Sequence, residues 1–439
     1  MPVTHAPNAT LTLRHLLGGL ALAVGLQVAP ADAARAADPD VAGDVLVKLR
    51  SSAELGPLLV RHRLSLAATF GSRPIYRLRL TGGDALQATL DALRAEPAVV
   101  LAEPNARHAT PEGRKNFVWA IGSAQALATQ WAPQALRLPQ AHALSTGAGV
   151  RVAVLDTGVD RTHPMLAGRL LPGFDFVDFD TDPSEGGTPA DAGWGHGTHV
   201  AGLVALAAPG ATILPLRVLD AQGQGNAWVL AEALLHAADP DGNPATADGA
   251  HVVSMSLGSL NRTELLGAIA KLADCSFVTA PDPADDFTDP GYEVDRQRCA
   301  SGAGALLVAA AGNGGSDKER QYPAAERVYG LLAVGATRSS TRLADFSNRG
   351  SWVPVAAPGD AITSTLPGGG YGTWSGTSMA APLAAGVAAL AIARQPGLTP
   401  DELVRRLERS GATLCNAKQA HIDAAALLGA ARQPRPACR

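Results

Sequence analysis

Residues 150–160 read VRVAVLDTGVD, a largely apolar run that ends in an aspartate and a glycine-containing turn. Such a run is typical of a strand buried on both faces, as in parallel sheets. Asp156 follows at the predicted carboxyl end of this strand, where open parallel sheets place their functional groups. Alone, an aspartate before a glycine is common in loops, so the motif needs partners elsewhere in the chain.

From about Trp131 onward, predicted strands alternate with predicted helices. This alternation predicts an α/β fold with a mainly parallel sheet and helices on both of its faces. The further predicted strands are Ile213–Leu219, His251–Leu257, Ala305–Ala310 and Leu331–Val334, and the main predicted helices are Thr198–Ala208, Ala227–Ala238 and Ser378–Arg394.

Residues 44–106 form a separate small unit in the sequence pattern. Strand-like segments at 44–50, 74–81 and 98–103 alternate with helix-like segments at 52–62 and 84–96. Two helices on one small sheet is the arrangement of an α+β, ferredoxin-like unit. The polar residues 107–128 that follow predict an exposed linker, where proteolytic cutting is easy.

The N-terminus has the pattern of an export signal. Arg14 and His15 precede an apolar run over Leu16–Ala29, and small residues then offer a cleavage site after Ala33 or Ala36. The apolar run is too short to span a bilayer comfortably. We therefore predict that residues 1–36 are a signal peptide and that the processed chain is secreted or periplasmic. A buried helix or an uncleaved anchor is the alternative.

Composition narrows the functional classes. The chain has 439 residues, 46% of them hydrophobic, and a net charge of -4 without a basic stripe, which argues for a large core and against nucleic-acid binding. Four cysteines in an exported chain suggest two disulfides, for which three connectivities are open. We favour the local pairs Cys275–Cys299 and Cys415–Cys438 over free buried thiols. The absence of a Cys-x-x-Cys spacing argues against a zinc site.

Residues 195–202 read GHGTHVAG and place two histidines at the start of a predicted helix. His196 lies between glycines that permit close approach of another group. For His199, three residues later, a structural role in the helix is the preferred interpretation. A zinc pair is the alternative, but the spacing does not match the His-Glu-x-x-His pattern.

Two further motifs supply an amide and a hydroxyl. Residues 309–314 read AAAGNG, and the side-chain amide of Asn313 could donate to an oxyanion, although an ordinary Asn-Gly turn is the alternative. Residues 375–382 read SGTSMAAP, so Ser378 begins a long apolar helix whose N-terminal N–H groups favour a negative oxygen. The Gly-x-Ser-x-Gly motif of α/β-hydrolases does not occur.

Together these motifs match the needs of acyl transfer by a serine: a nucleophile, a base, a carboxylate that orients the base, and donors for the oxyanion. The order Asp156, His196, Ser378 is that of subtilisin, and residues 131–428 resemble the subtilisin-like serine peptidases. The resemblance implies that Ser378 is the nucleophile, His196 the general base and acid, and Asp156 the orienting group. It also implies an oxyanion hole formed by Asn313 and the Ser378 N–H.

The resemblance extends to the substrate cleft. Residues 254–258 (SMSLG) resemble the edge strand that pairs with extended substrate, residues 310–312 resemble a wall of the specificity pocket, and residues 223–225 resemble the opposite side of the cleft. A plain core strand or turn is the alternative for each. The substrate-binding residues implied are Ser256, Leu257, Gly258, Ala310, Ala311, Gly312 and Gly225.

Residues 44–106 resemble the family's inhibitory propeptide. The resemblance therefore implies a secreted endopeptidase made as a self-processing zymogen, with its own propeptide as intramolecular inhibitor and polypeptides as substrates. The cut is expected within residues 107–128, and residues 129–439 would form the catalytic domain. No membrane contact is expected after signal cleavage. A catalytically inactive, peptide-binding relative is the alternative, and a serine esterase is disfavoured by the missing motif.

No cofactor is expected, and no residue is predicted as a metal ligand. Three acidic segments, at 175–185, 239–248 and 281–295, could bind calcium, as several relatives do. None of them matches a dedicated calcium-binding loop, so a solvated acidic surface is the preferred interpretation.

Overall fold

A computed structural model describes residues 40–114, 120–279, 290–302, 304–434 and 438. The predicted signal peptide, residues 1–36, lies outside the described residues. So do residues 280–289, which include the first nine residues of the acidic segment 281–295.

The N-terminal unit is an antiparallel sheet with two helices. Its strands lie in the order β2-β3-β1-β4, and its core contains Val45, Val47, Leu78 and Leu90. The elements are β1 (Asp40–Leu49), α1 (Leu55–Arg61), β2 (Leu64–Thr69), β3 (Ile75–Leu80), α2 (Leu86–Arg94) and β4 (Val99–Ala109). β2 was not predicted, because only its first residue is fully buried and the strand lacks an alternating apolar pattern.

Residues 107–128 differ in part from the predicted exposed linker. Arg107–Ala109 belong to β4, and His108 and Thr110 are buried. Pro111–Arg114 form a 3-10 turn. This segment is ordered because its backbone pairs with the rest of the molecule. A polar composition does not reveal such pairing. Residues 115–119 lie outside the described part of the chain.

The central sheet has nine strands and confirms the predicted mainly parallel α/β fold. Eight strands lie in the order β17-β14-β12-β11-β10-β6-β8-β7 with parallel neighbours, and β13 pairs antiparallel with β12. Their bounds are β6 (Arg151–Asp156), β7 (Phe174–Asp175), β8 (Thr212–Arg217), β10 (Val252–Met255), β11 (Leu306–Ala310), β12 (Leu331–Ser339), β13 (Arg342–Leu343), β14 (Val355–Pro358) and β17 (Ala420–His421).

Besides β1–β4, four short strands lie outside this sheet. β15 (Ile362–Leu366), β16 (Gly370–Trp374) and β5 (Ala120–Ile121) form a small antiparallel sheet. β9 (Gln224–Asn226) pairs antiparallel with the end of β4 and so joins the N-terminal unit to the rest of the molecule.

Helices cover both faces of the central sheet. Alternate residues of β6 enter two different cores. Val152 and Val154 pack with the helices at 196–207 and 377–394, whereas Ala153 and Leu155 pack with those at 227–238 and 264–273. The helices are α3 (Ala124–Thr129), α4 (Ala132–Ala135), α5 (Leu138–His142), α6 (His196–Ala207), α7 (Ala227–Ala238), α8 (Glu264–Ala273), α9 (Ser276–Thr279), α10 (Pro290–Ala300), α11 (Thr377–Arg394), α12 (Pro400–Glu408) and α13 (Ala424–Leu427).

Among the described residues, α11 alone is long and apolar enough to cross a membrane, yet most of it is buried inside the protein. Its apolar composition is therefore explained by its position in the protein core.

Both predicted disulfides are present. Cys275 is bonded to Cys299 and Cys415 to Cys438. The first closes the acidic insertion between α9 and α10, and the second ties the C-terminal tail to the segment after α12.

Candidate active site

Asp156 and His196 meet where β6 ends and α6 begins. The Nδ1 atom of His196 lies 2.6 Å from Oδ1 of Asp156, and both side chains are buried. The same Oδ1 atom accepts a 2.8 Å hydrogen bond from the backbone N–H of Thr157. This bond fixes the carboxylate, so the imidazole is held in one orientation with Nε2 directed away from Asp156.

Ser378 enters from the first turn of α11 and is buried as well. Its hydroxyl donates a 2.8 Å hydrogen bond to Oε2 of Glu112, and Nε2 of His196 lies 3.2 Å from the same oxygen. The imidazole and the hydroxyl therefore converge on one atom, although residues 196 and 378 are far apart along the chain.

Asn313, three residues after β11 ends, completes the group. Its Oδ1 accepts hydrogen bonds from the N–H and the hydroxyl of Thr377, each 2.9 Å long. The amide is thereby oriented so that Nδ2 donates to Oε1 of Glu112 at 3.0 Å. The structure thus brings together Asp156, His196, Ser378 and Asn313, the four residues predicted from the sequence.

Glu112 is a residue of this site that the sequence analysis missed. Its carboxylate contacts three of the four predicted residues, and Gly376 leaves room for it: a Cβ atom there would lie 1.8 Å from Oε1 of Glu112. One signal was present in the sequence, because Glu112 is the sole carboxylate between Glu103 and Asp156.

The residues before Glu112 occupy the predicted cleft. Arg107–Ala109 pair antiparallel with β9, which contains Gly225. On the other side, Ala109 exchanges two backbone hydrogen bonds with Gly258, of 2.9 and 3.0 Å. Part of this chain therefore lies as an extended strand between two segments predicted to bind substrate.

The other predicted substrate-binding residues lie deeper. The side chains of Leu257, Ala310 and Ala311 are buried in the two cores, so their backbones alone could face a ligand. Gly312 donates its N–H to the hydroxyl of Thr377 at 3.1 Å, and Ser256 donates its hydroxyl to the carbonyl oxygen of Ser378 at 2.9 Å. These two residues brace the first turn of α11.

His199 stands apart from this group. Its ring stacks on Trp374 with a centroid distance of 4.8 Å, and its Nε2 lies 3.1 Å from the carbonyl oxygen of Gly372. Burial lowers the pKa of His199 to about 3, which keeps the ring neutral. The geometry is that of a structural histidine.

The pKa of His196 moves in the opposite direction. Burial acts to lower it, but the negative charges of Asp156 and Glu112 and their hydrogen bonds to both ring nitrogens raise the pKa to about 10. While Glu112 is in place, His196 is therefore an imidazolium at neutral pH and cannot accept a proton.

Three carboxylates of the predicted acidic loop at 239–248 come together away from this site. Ligand oxygens of Asp239, Asp241 and Asp248 lie within 4.8 Å of one another. Exposed acidic groups are often clustered without a bound ion.

Comparisons with known proteins agree with the fold and the motifs. The model of the Subtilase family matches residues 147–428. The chain is 36% identical to the thermophilic serine proteinase of Bacillus sp. (strain AK1), over 70% of this chain and 66% of the relative. It is 37% identical to thermitase of Thermoactinomyces vulgaris, over 60% of this chain and 81% of the relative.

Solved structures resemble it too. Fervidolysin from Fervidobacterium pennivorans, a keratinolytic enzyme related to subtilisin, superposes on 90% of this chain and 62% of its own, with a TM-score of 0.68 and 23% identity. A protease from Pseudoalteromonas arctica PAMC 21717 superposes on 70% of this chain and 99% of its own, with a TM-score of 0.55 and 30% identity. On the family match over residues 147–428, the chain belongs to the subtilase family of serine peptidases.

Proposed function

We propose that this chain is a secreted serine endopeptidase, made as a zymogen, with Asp156, His196 and Ser378 as its catalytic triad. One observation carries the proposal. The hydroxyl of Ser378, Nε2 of His196 and the amide of Asn313 all contact a single carboxyl group, while the other nitrogen of His196 is held by Asp156. A carboxyl group has the size and polarity of the peptide carbonyl that would take its place.

In the proposed reaction, Oγ of Ser378 attacks the carbonyl carbon of a peptide bond and its proton passes to Nε2 of His196. The negative oxygen that forms accepts hydrogen bonds from Nδ2 of Asn313 and the backbone N–H of Ser378. His196 then gives the proton to the leaving amine, and an ester to Ser378 remains. Water hydrolyses that ester by the same steps, and Asp156 stabilises the imidazolium throughout.

Substrate recognition would use backbone pairing. An extended polypeptide replacing Arg107–Ala109 meets the edge of β9 on one side and Gly258 on the other. Main-chain hydrogen bonds do not depend on the substrate's side chains, so they suit a peptidase that accepts many sequences.

The N-terminal unit would act as the inhibitor. Its Glu103 carboxylate accepts hydrogen bonds from the backbone N–H groups of Glu264 and Leu265, of 2.7 and 3.0 Å, at the start of α8. Asn105 accepts one from the N–H of Trp228 at the start of α7. These contacts hold the following segment in the cleft. Residues 1–36 would direct export of the precursor. A cut within residues 107–128 would then release the N-terminal unit and open the cleft.

The test is covalent labelling of the purified enzyme. A fluorophosphonate probe should modify Ser378 of the processed wild-type enzyme, and mass spectrometry of a cleaved peptide library should find cuts within peptides. A chain that binds peptides but neither reacts with the probe nor cleaves them would be an inactive relative, and the proposal would be wrong.

Replacing the Glu112 carboxylate should speed maturation. We expect Glu112→Gln to accelerate the first self-cleavage roughly tenfold, because charge-assisted hydrogen bonds contribute about 1 kcal/mol or more beyond neutral ones. Gel electrophoresis of the full-length chain over time measures this rate. Glu54→Gln, which removes an exposed carboxylate of the N-terminal unit, is the control and should change nothing. Unchanged or slower processing of Glu112→Gln would contradict inhibition by this group.

Glu112 should also set the protonation of His196. In full-length chain kept uncut by Ser378→Ala, we expect the imidazole to remain protonated through neutral pH, and Glu112→Gln in that background to lower its pKa. Because the pKa is raised above its unfolded value near 6.5, this charge pairing stabilises the folded precursor most below that pH and is lost as pH rises towards 10. NMR titration of the histidine side chains measures the shift. Titration near 6.5 with Glu112 present would refute it.

A further inference from the structure

A third carboxylate, that of Glu185, contacts the segments that carry the triad and takes no part in the proposed reaction. Glu185, in the loop between β7 and α6, turns its carboxyl group inward. Its Oε1 accepts a hydrogen bond from the hydroxyl of Thr157 at 2.5 Å. Its Oε2 accepts two from Thr198, from the N–H at 3.0 Å and from the hydroxyl at 2.8 Å. One side chain therefore links two different segments of the chain.

These two segments are the ones that carry Asp156 and His196. Thr157 follows Asp156 directly, and its hydroxyl oxygen accepts the N–H of Gly197 at 2.9 Å. Thr198 lies two residues after His196, in the first turn of α6. The carboxylate of Glu185 thus joins Thr157, which follows Asp156, to Thr198, which lies close to His196 in the chain.

The surrounding backbone is shaped for this carboxylate. Gly158 has a φ of +108°, and a Cβ atom there would lie 2.5 Å from the carbonyl oxygen of Ser184 and 2.9 Å from the N atom of Glu185. A Cβ atom on Gly197 would lie 2.1 Å from the carbonyl oxygen of Gly158. Both glycines are needed for the turn after β6, the start of α6 and the loop at 184–185 to approach so closely. This close packing fixes the position of Glu185.

Opposing effects act on the charge of Glu185. A negative group at the N-terminus of α6 accepts an otherwise unpaired helix N–H and interacts favourably with the helix dipole. Burial raises the pKa of Glu185 to about 7, the three hydrogen bonds from the threonines act against that rise, and the nearby charge of Asp156 adds to it. Burial and Asp156 therefore oppose the negative charge that the helix N-terminus and the threonine hydrogen bonds favour, and those hydrogen bonds hold the carboxyl group in place.

We propose that Glu185 is a positioning residue for catalysis, which fixes the distance and angle between Asp156 and His196 by clamping Thr157 to Thr198. The inference rests on the proposed function. Without the carboxylate, the turn after β6 and the start of α6 can move independently, and the imidazole loses its alignment towards Ser378. Misplacement of a catalytic group by about 1 Å can cost 10²-fold in rate. Because the imidazole would be displaced while the substrate cleft stays in place, we expect loss of the carboxylate to lower turnover and not substrate binding.

The test compares Glu185→Ala and Glu185→Gln in the processed enzyme. We expect Glu185→Ala to lower kcat by about 10- to 100-fold with KM changed less than about twofold. Glu185→Gln keeps an acceptor for Thr198 and the side-chain volume, so it should recover most of that loss. The rate of fluorophosphonate labelling should fall in parallel, and the proton NMR signal of the His196 Nδ1–H should shift in Glu185→Ala. A merely structural residue would not move these last two readouts.

Glu232→Ala is the matched control. Glu232 is a half-buried carboxyl on α7, and burial raises its pKa to about 7 as well, but it does not contact the triad segments. Glu232→Ala should lower the unfolding temperature without lowering kcat.

Full kcat in Glu185→Ala, or a loss in Glu185→Gln as large as in Glu185→Ala, would overturn the inference. If Glu185→Ala does not fold, Thr157→Val takes its place, because it removes the hydroxyl that donates to Glu185 and accepts the N–H of Gly197. Wild-type kcat and labelling rate in Thr157→Val would overturn the inference, and a fall in both with normal KM would support it. A wild-type enzyme that fails to label would instead refute the proposed function itself.

Discussion

Ser378→Ala should leave the full-length chain uncut and lower kcat by about 10⁶-fold, a magnitude taken from subtilisin, a member of the same family. Among the described residues, the hydroxyl of Ser378 is the one that shares an oxygen of Glu112 with Nε2 of His196, so it is the nucleophile of the proposed reaction. Without it, neither the acyl-enzyme nor the first self-cleavage can form. Residual activity would come from the oxyanion donors and substrate binding alone.

Intact-mass spectrometry of the secreted chain measures processing. Initial rates on a peptide substrate are measured after the precursor has been matured with wild-type enzyme and that enzyme has been removed. Ser254→Ala is the matched control: Ser254 is equally buried, and its hydroxyl has no hydrogen-bond partner among the described residues. The control should process and turn over normally. Normal processing of Ser378→Ala would show that another peptidase makes the cut and would exclude self-cleavage.

Asn313→Leu should lower kcat by about 10²–10³-fold while KM changes little, again with the magnitude known for subtilisin. Thr377 holds Oδ1 of Asn313 with two hydrogen bonds, so Nδ2 is fixed where the oxyanion would form. A donor aimed at the oxyanion stabilises the transition state more than the bound substrate, which is why turnover falls and affinity does not.

Because the same argument predicts slow self-processing of Asn313→Leu, its precursor should be matured with a trace of wild-type enzyme. The trace enzyme is then removed before kinetics are measured. Asn243→Ala, in an exposed loop, is the control and should behave as wild type. A fall in kcat of less than about threefold for Asn313→Leu would show that the amide does not meet the oxyanion.

Much of the central fold followed from local sequence patterns. The strands β6, β8, β10 and β11 are short apolar runs, and α7 appeared with the predicted bounds. β12 continues to Ser339, beyond the predicted Val334, because its later residues pair with β13 and β14. The hairpin β15–β16 was missed, since its glycine-rich second strand lacks an apolar alternation and is stabilised by pairing.

The site divides in the same way. Asp156, His196, Asn313 and Ser378 could be named from the sequence because each lies in a short motif at a strand end or a helix start. Glu112 and Glu185 lie in no such motif. The role of Glu112 depends on the pairing of β4 with β9, and that of Glu185 depends on the packing of its loop against Gly158. Both are tertiary contacts between segments that are distant in sequence.

The gap between β9 and Gly258 is one strand wide, and its present occupant is hydrogen-bonded along both edges. Any protein cut there must offer several consecutive residues whose backbone groups are free on both sides. Residues inside a helix or within a sheet already use those groups. Native globular proteins should therefore be nicked first at exposed loops and tails, and digested fully only when heat or denaturant unfolds them.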